Sequence, residues 1–157
     1  MTSRIALVLV SVLVAGALAA CGGSGSGPST PTTTSPAATK ALIKGVYVKF
    51  FSSKTPTSTR VNLLQNGHQF APAIAALAQN PLAKNTSATV SSVTLQGPDK
   101  AKVVYTVNLS GTPVPGLKNR TGSAVRENGA WKVGAADFCA LVSLGGSPPE
   151  ACKNLGG

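Results

Sequence analysis

The stretch AKVVYTVNL, residues 101–109, alternates between apolar and polar side chains along most of its length. Every odd-numbered position in it is apolar, whereas Lys102, Thr106 and Asn108 lie on the opposite face. This period of two residues is typical of a β-strand buried on one side, because successive side chains leave a strand in opposite directions. The second half of the chain is therefore expected to form a sheet around this strand.

Residues 86–96 predict the neighbouring strand on the N-terminal side, joined to the first by the Gly-Pro-Asp-Lys turn at 97–100. Val90 is out of step with the apolar positions that follow it. One extra residue in a strand produces such a shift, so a β-bulge is expected near Ser91 and Ser92.

Residues 120–134 predict two more strands, one on each side of Asn128-Gly129. An Asn-Gly pair between alternating segments is the strongest short signal of a β-hairpin, because both residues tolerate positive φ. In this register Arg126 lies opposite Trp131, and its aliphatic stem is expected to cover the indole.

The first half of the folded region has the helical period of 3.6 residues instead. A helix is expected to begin near Ala37 and to carry one wide apolar stripe on its inner face. The stripe consists of Leu42, Ile43, Val46, Tyr47, Phe50 and Phe51.

Shorter helices are expected on both sides of the sheet-forming region. One ends at Asn66-Gly67, the next has Leu77 on its buried face and ends at Pro81, and the last is capped by Asp137. Together the two periods indicate an α+β fold, in which N-terminal helices pack on a curved antiparallel sheet of about four strands.

The sequence Leu18-Ala19-Ala20-Cys21 resembles a bacterial lipobox, in which the cysteine thiol receives a diacylglycerol. Residues 1–20, with one arginine before 14 largely apolar residues, have the layout of a secretory signal peptide. The apolar run is shorter than the roughly 20 residues that a membrane-spanning helix needs. Cys21 is therefore expected to anchor the mature chain, through its acyl groups, to the extracytoplasmic face of the bacterial cell membrane.

The sequence predicts one folded domain behind this anchor. Residues 21–39 are expected to be the acylated cysteine and a flexible tether, because residues 22–39 contain only Gly, Ser, Thr, Pro and Ala. Residues 40–157 are long enough for a single globular domain, which is expected to end in an irregular C-terminal tail.

The chain is strongly basic, with 14 Lys and Arg against 4 acidic residues and a formal net charge of +10. Removal of residues 1–20 takes away one arginine and leaves +9 on the side chains (13 − 4). Such a balance often indicates a nucleic-acid partner, but export keeps nucleic acid out of reach. Anionic lipid headgroups or envelope polymers are the expected partners of the basic surface, unless the lysines only keep it soluble. The oligomeric state does not follow from the sequence.

Two cysteines, Cys139 and Cys152, remain besides Cys21. An even pair in an exported domain predicts a disulfide, and a free buried pair is the alternative. No metal site or cofactor is expected, because His68 is the only histidine and no close Cys-x-x-Cys pair occurs.

Five short motifs follow one another along the chain, namely LLQNG at 63–67, QNPL at 79–82, SVTL at 92–95, ENGAWKV at 127–133 and DFCAL at 137–141. Together they resemble the C-terminal domain of the low-molecular-weight antigen ("Mtb twelve") family of mycobacteria and related actinobacteria. The resemblance implies an exported antigen of unknown biochemical function. The hairpin motif within ENGAWKV is also similar to one found in cone-shaped domains like nuclear transport factor two, so the expected fold is cone-like. The family resemblance carries over no catalytic residues, and the lipobox at Cys21 departs from the founding antigen.

A non-catalytic binding or interaction module is the expected function. Proton-transfer chemistry needs a buried carboxylate or histidine with a shifted pKa, and none of Asp99, Glu127, Asp137 and Glu150 belongs to a recognisable pair. The alternative is an isomerase or dehydratase that uses the interior of the cone.

A curved sheet wrapped on a long helix often leaves a cavity at its open end. Tyr47, Phe51, Tyr105 and Trp131 lie on the apolar stripes and are the candidates for its lining, with a lipid-like molecule as ligand. The alternative is that these side chains close on one another as core.

Overall fold

The computed structural model describes residues 34–146 and 148–155. The predicted signal peptide, Cys21 and most of the predicted tether lie outside the described residues. In chain order the elements are α1 (Pro36–Phe51), α2 (Thr57–Leu63), α3 (Ala71–Gln79), β1 (Thr86–Leu95), β2 (Lys100–Leu109), β3 (Thr112–Pro113), β4 (Arg120–Glu127), β5 (Ala130–Val133) and α4 (Ala135–Ser143). Short 3₁₀ turns occupy Gly67–Phe70, Pro81–Asn85 and Glu150–Cys152.

The sheet is antiparallel and curved, in the strand order β1-β2-β4-β5, and the two-residue β3 pairs with the end of β2. The odd-numbered residues of β2 from Ala101 to Val107 are buried, so the predicted alternation is confirmed. Asn108 is buried on the face that was expected to be exposed, where its amide donates a hydrogen bond to Thr89 Oγ1. The α+β prediction, with helices on a curved sheet, is confirmed.

Two local predictions within the sheet are also confirmed. The register of β1 against β2 shifts between Val90 and Ser92, where a bulge was expected. In the β4–β5 hairpin, Arg126 pairs with Trp131, and both turn residues have positive φ.

Helix α1 begins at Pro36, four residues before the predicted boundary of the folded domain at residue 40. The hydroxyl of Ser35 caps it by accepting a hydrogen bond from the Ala38 backbone N–H at 3.2 Å. Ser followed by Pro is a favourable helix start, because proline needs no hydrogen-bond partner at the first helical position. This start is one residue before the helix start expected near Ala37, and it lies within the predicted tether at 21–39.

The buried stripe of α1 is narrower than predicted. Ile43, Tyr47 and Phe50 are buried, whereas Leu42 is 57% exposed. Because α1 packs against the sheet on one side, residues at the edge of the stripe remain in contact with solvent. The same holds on α3, where the predicted inward residue Leu77 is 41% exposed.

The segment after α2 connects the helices to the last strand. Asn66 adopts the left-handed conformation at φ 52°, while Gly67 is needed for space, since a Cβ there would lie 1.8 Å from the carbonyl oxygen of Val61. Next to it, the Gln65 backbone N–H donates to the carbonyl of Val133 at 2.9 Å. This turn thereby holds the helical layer against β5.

Helix α4 closes the domain on the C-terminal side. Its N-cap is Gly134, so the prediction that Asp137 caps the helix is wrong. Asp137 lies in the first turn, and its carboxylate contacts β4 instead. The predicted disulfide between Cys139 and Cys152 is present and joins α4 to the C-terminal 3₁₀ turn. Within the described ranges, no helix has the length and apolar character needed to cross a bilayer.

Candidate functional site

One cluster of polar side chains lies within the interface between α1, β4 and α4. Asp137 Oδ2 accepts hydrogen bonds from the backbone N–H of Ser123 at 2.5 Å and from its hydroxyl at 2.8 Å. The Tyr47 hydroxyl donates to the backbone carbonyl of Ser123 at 2.7 Å. The cluster thus connects three elements through Ser123.

Burial raises the pKa of each titratable side chain in this cluster. It raises the pKa of Asp137, although the hydrogen bonds from Ser123 and the charge of Arg120 act in the opposite direction. Burial and the nearby Asp137 carboxylate raise the pKa of Tyr105 to about 12 and that of Tyr47 still further. Both tyrosines are therefore neutral hydrogen-bonding groups at neutral pH.

The packing around the cluster leaves no space for a ligand. A Cβ at Gly122 would lie 2.8 Å from the Tyr47 hydroxyl oxygen and 2.9 Å from Tyr105 Cε1. A Cβ at Gly134 would lie 2.2 Å from the Ser123 hydroxyl oxygen. Since a single methyl group does not fit at either glycine, the cluster acts as a structural connection.

A separate cavity of about 240 Å³, which we call the apolar pocket, lies where α1, α2, α3 and α4 meet β2. Its lining is almost entirely apolar and comes from residues far apart in the chain. The lining residues are Phe50, Phe51, Arg60, Ile74, Leu77, Ala83, Thr86, Val107, Phe138, Leu141, Val142 and Gly145.

The four residues predicted to line one cavity do not meet around a common cavity in the structure. Tyr47 and Tyr105 are 0% and 2% exposed, and their ring centroids lie 5.1 Å apart. Phe51 stacks on Tyr105 at 5.2 Å and also lines the apolar pocket. Trp131 lies on a different surface, a groove between the outer face of α1 and the β4–β5 hairpin. Tyr47 and Tyr105 thus pack on each other, as in the alternative stated with the prediction, because contact between the rings removes apolar surface from water.

Among the described residues, Arg60 is the one charged side chain that lines the apolar pocket, and no sequence pattern predicted it as a site residue. Its Nη2 donates to the backbone carbonyl of Ser52 at 2.7 Å, whereas its buried Nε has no hydrogen-bond partner in the described chain. Burial lowers the pKa of Arg60, but an arginine remains charged at neutral pH. The available signal was that Arg60 is the only arginine in the helical half, residues 36–85, where all other cationic residues are lysines.

A second cavity of about 240 Å³ adjoins the apolar pocket at Arg60 and Ala83, which line both. We call it the basic groove, because Lys54 and Lys84 also line it. The rest of its lining consists of Ser53, Thr55, Pro56, Thr57 and Ala78. None of the four acidic residues, all of which the structure describes, lines either cavity.

Elsewhere among the described residues, the histidine and the other acidic side chains lie apart from one another. His68 is exposed, Glu127 forms an ion pair with Lys132, and Glu150 forms one with Lys153. Lys132 lowers the pKa of Glu127, chiefly by donating a hydrogen bond to it. In the part of the chain that the structure describes, no group of three His, Cys, Asp or Glu residues is arranged to hold a metal ion.

Comparison with known proteins supports the resemblance noted in the sequence. The family model described as low molecular weight antigen MTB12, C-terminal domain, matches residues 36–149 of the 157. The match begins at the first residue of α1 and includes every element from α1 to α4. None of the curated proteins matches the chain.

Proposed function

The chain belongs to the family of the low molecular weight antigen MTB12 C-terminal domain, and we propose that it is an exported, lipid-anchored binding module without catalytic activity. Its ligand would be a small molecule whose apolar part enters the apolar pocket. The observation that carries this proposal is the pocket itself, a cavity of about 240 Å³ lined by core-forming side chains from four helices and the sheet.

The chemistry of the lining favours binding over catalysis. Small-molecule sites are concave, largely apolar and equipped with a few polar groups that orient the ligand, and Arg60 is such a group here. The volume is slightly below the typical range of about 300–1,000 Å³, which suits one alkyl chain better than a bulky lipid. Each buried methylene contributes about 0.8 kcal/mol, so a chain of six would contribute about 5 kcal/mol before the cost of ordering.

The experiment uses a neutral probe and a pair of matched variants. Leu77 lines the pocket and is partly exposed, so Leu77→Trp fills the pocket without replacing a fully buried residue. Leu82→Trp introduces the same indole at a residue that is 64% exposed and lines neither cavity. We expect 1-decanol to bind the wild type and the Leu82→Trp variant, and to bind Leu77→Trp at least about tenfold more weakly. The affinity for 1-decanol is measured from the changes in the methyl NMR signals of pocket residues during the titration.

The binding proposal is wrong if 1-decanol shifts no pocket signal at its solubility limit, or if Leu77→Trp binds it as well as Leu82→Trp does. Native mass spectrometry of the protein purified from its own envelope adds a second readout. A stoichiometric apolar adduct that Leu77→Trp lacks would support the same pocket.

The proposed localisation rests on the lipobox, with Cys21 as the acylated residue and the chain up to Ser35 as the tether. We expect a clickable fatty acid fed to the source bacterium to label the wild-type protein and not Cys21→Ala. A chain recovered from membranes without acyl label, and with residues 1–20 still attached, would contradict the anchor.

The exposed lysines support a further part of the proposal, contact between the basic surface and anionic lipid headgroups or envelope polymers. Such contact is electrostatic, so the mature domain without its acyl groups should bind vesicles with anionic lipids at low salt and release them at high salt. Equal binding to neutral vesicles would contradict it.

A further inference from the structure

We infer that the molecule held by the apolar pocket is a single-chain amphiphile with an anionic head group, a carboxylate or a phosphate, and that Arg60 binds the head group. The inference rests on the proposed function, because it names the ligand class of the same pocket. In this arrangement the alkyl chain occupies the apolar pocket and the head group lies toward the basic groove.

The position of Arg60 carries the inference. Its side chain lines both cavities, so it lies at the boundary between an apolar space and a basic one. A guanidinium has five N–H donors in a planar fork that matches carboxylate and phosphate oxygens. Only the bond from Nη2 to the Ser52 carbonyl is made within the described residues, and the buried Nε is left without an acceptor.

An unpartnered buried donor is uncommon in a folded protein, because its desolvation is costly unless an acceptor replaces water. An anionic oxygen is the acceptor that a charged guanidinium binds most strongly. Nε itself is enclosed, whereas Nη1 is accessible and makes no hydrogen bond within the described residues, so Nη1 is the nitrogen that a head group can reach. The anionic head group is thus what distinguishes this inference from simple apolar binding.

The charged residues around Arg60 also favour an anionic head group. Lys54 and Lys84 also line the basic groove, and both are exposed. None of the acidic residues, which all lie within the described ranges, lines either cavity, so three cations face this space without a carboxylate. A cationic or zwitterionic head group would meet uncompensated like charge there.

The size of the cavities limits the ligand to one chain. The apolar pocket and the basic groove have similar volumes of about 240 Å³ each and meet at Arg60 and Ala83. A molecule that crosses this boundary can place one alkyl chain on Phe51, Leu77 and Leu141 while its head group contacts Arg60.

The experiment compares three probes with the same ten-carbon chain and different head groups, namely decanoate, 1-decanol and decyltrimethylammonium. Binding to the mature domain is measured by NMR titration and calorimetry below the micellar concentrations. We expect decanoate to bind about tenfold more tightly than 1-decanol, as one charge-assisted hydrogen bond implies, and decyltrimethylammonium to bind most weakly. Decyl phosphate in a parallel titration tells whether a phosphate or a carboxylate is preferred.

Two variant pairs test the residues. Arg60→Gln should reduce decanoate affinity about tenfold and leave 1-decanol affinity unchanged, while Arg126→Gln, the same change at an exposed arginine on β4, should alter neither. If Arg60→Gln does not fold, the double variant Lys54→Gln/Lys84→Gln serves instead. It should weaken decanoate about two- to fivefold at low salt, because exposed charges contribute less and are screened. Lys100→Gln/Lys102→Gln is its control with equal net charge.

Equal affinities for decanoate and 1-decanol, or an Arg60→Gln variant that binds decanoate as tightly as the wild type, would overturn the inference and leave the proposed function standing. Tighter binding of decyltrimethylammonium would also overturn it. Failure of all three probes to bind would overturn the proposed function together with the inference.

Discussion

Asp137 and Arg60 are both partly buried ionisable residues beside the apolar core, but their surroundings differ. The Asp137 carboxylate accepts two hydrogen bonds from Ser123, and the packing around it has no space for one additional methyl group. Arg60 makes one hydrogen bond to Ser52, leaves Nε unpartnered, and lies between two cavities. The comparison indicates that a carboxyl group enclosed by close packing connects elements of the fold, whereas a guanidinium between two cavities remains available to a ligand.

If this distinction is right, changes around Asp137 and Tyr47 reduce stability, whereas changes around Arg60 reduce binding. The two regions belong to the same core, because Phe51 contacts Tyr47 and Tyr105 on one side and lines the apolar pocket on the other. A different response to mutation in the two regions therefore does not reflect separate domains. Urea unfolding with the Cys139–Cys152 disulfide intact measures the free energy of unfolding of each variant.

The largest effect is expected for Tyr47→Ala. The side chain is fully buried, contacts the rings of Phe51 and Tyr105, and donates to the carbonyl of Ser123. Its removal should lower the free energy of unfolding by about 3–5 kcal/mol, as for other large aromatic truncations. Leu77→Ala, at a partly exposed position of the apolar pocket, should cost less than about 1 kcal/mol. Similar losses for the two variants would remove the distinction between the regions.

Gly122→Ala tests how tightly the Asp137 region is closed. The added Cβ would meet Tyr47 and Tyr105 below 3.0 Å, so we expect a loss of about 1–3 kcal/mol from overpacking. Gly45→Ala is the matched control, because a Cβ there meets nothing within 4 Å and Gly45 lies inside α1. It should stabilise the protein by about 0.5–1 kcal/mol, since alanine favours helix. If Gly122→Ala left the free energy of unfolding unchanged, the region around Asp137 would have space for an additional methyl group.

The pH dependence of stability gives a smaller effect. Burial raises the pKa of Asp137 above its unfolded value, so the folded state binds the proton more tightly. This contribution to stability is fully present below the unfolded pKa of about 3.9 and is lost as the pH rises through the folded pKa. Relative to Asp137→Asn, the wild type should therefore lose stability between about pH 4 and neutral pH.

Asp99→Asn is the control for this titration, since it removes one negative charge at an exposed turn. The lowered pKa of Glu127 acts in the opposite direction in acid, but it is common to all three proteins and cancels in the difference. A difference between wild type and Asp137→Asn that grows in favour of the wild type toward neutral pH would contradict the raised pKa.

The smallest effect on stability is expected for Arg60→Gln. The variant loses the hydrogen bond to the Ser52 carbonyl, but it also removes a partly buried charge with an unpartnered Nε. The two contributions oppose each other, so the free energy of unfolding should change by less than about 1 kcal/mol. A loss above about 2 kcal/mol would show that Arg60, like Asp137, has a structural role and would weaken the comparison.

The sequence by itself determined the features that depend on neighbouring residues. The alternation at 101–109 predicted β2, the step at Val90 predicted the bulge, and Asn128-Gly129 predicted the hairpin, because each signal lies within a few residues of its effect. The cysteine pair and the family resemblance likewise followed from residue identity and spacing.

Only the tertiary structure decided which side chains meet. Tyr47 and Ser123 are 76 residues apart, and nothing local indicates that Asp137 turns to Ser123 rather than capping its own helix. The site differs from the predicted one for the same reason: Tyr47 and Tyr105 close on each other, while Arg60 and Leu141 come to line one pocket. Periodicity gives the buried face of each element, but whether two buried faces touch or leave a cavity depends on how the elements pack in three dimensions.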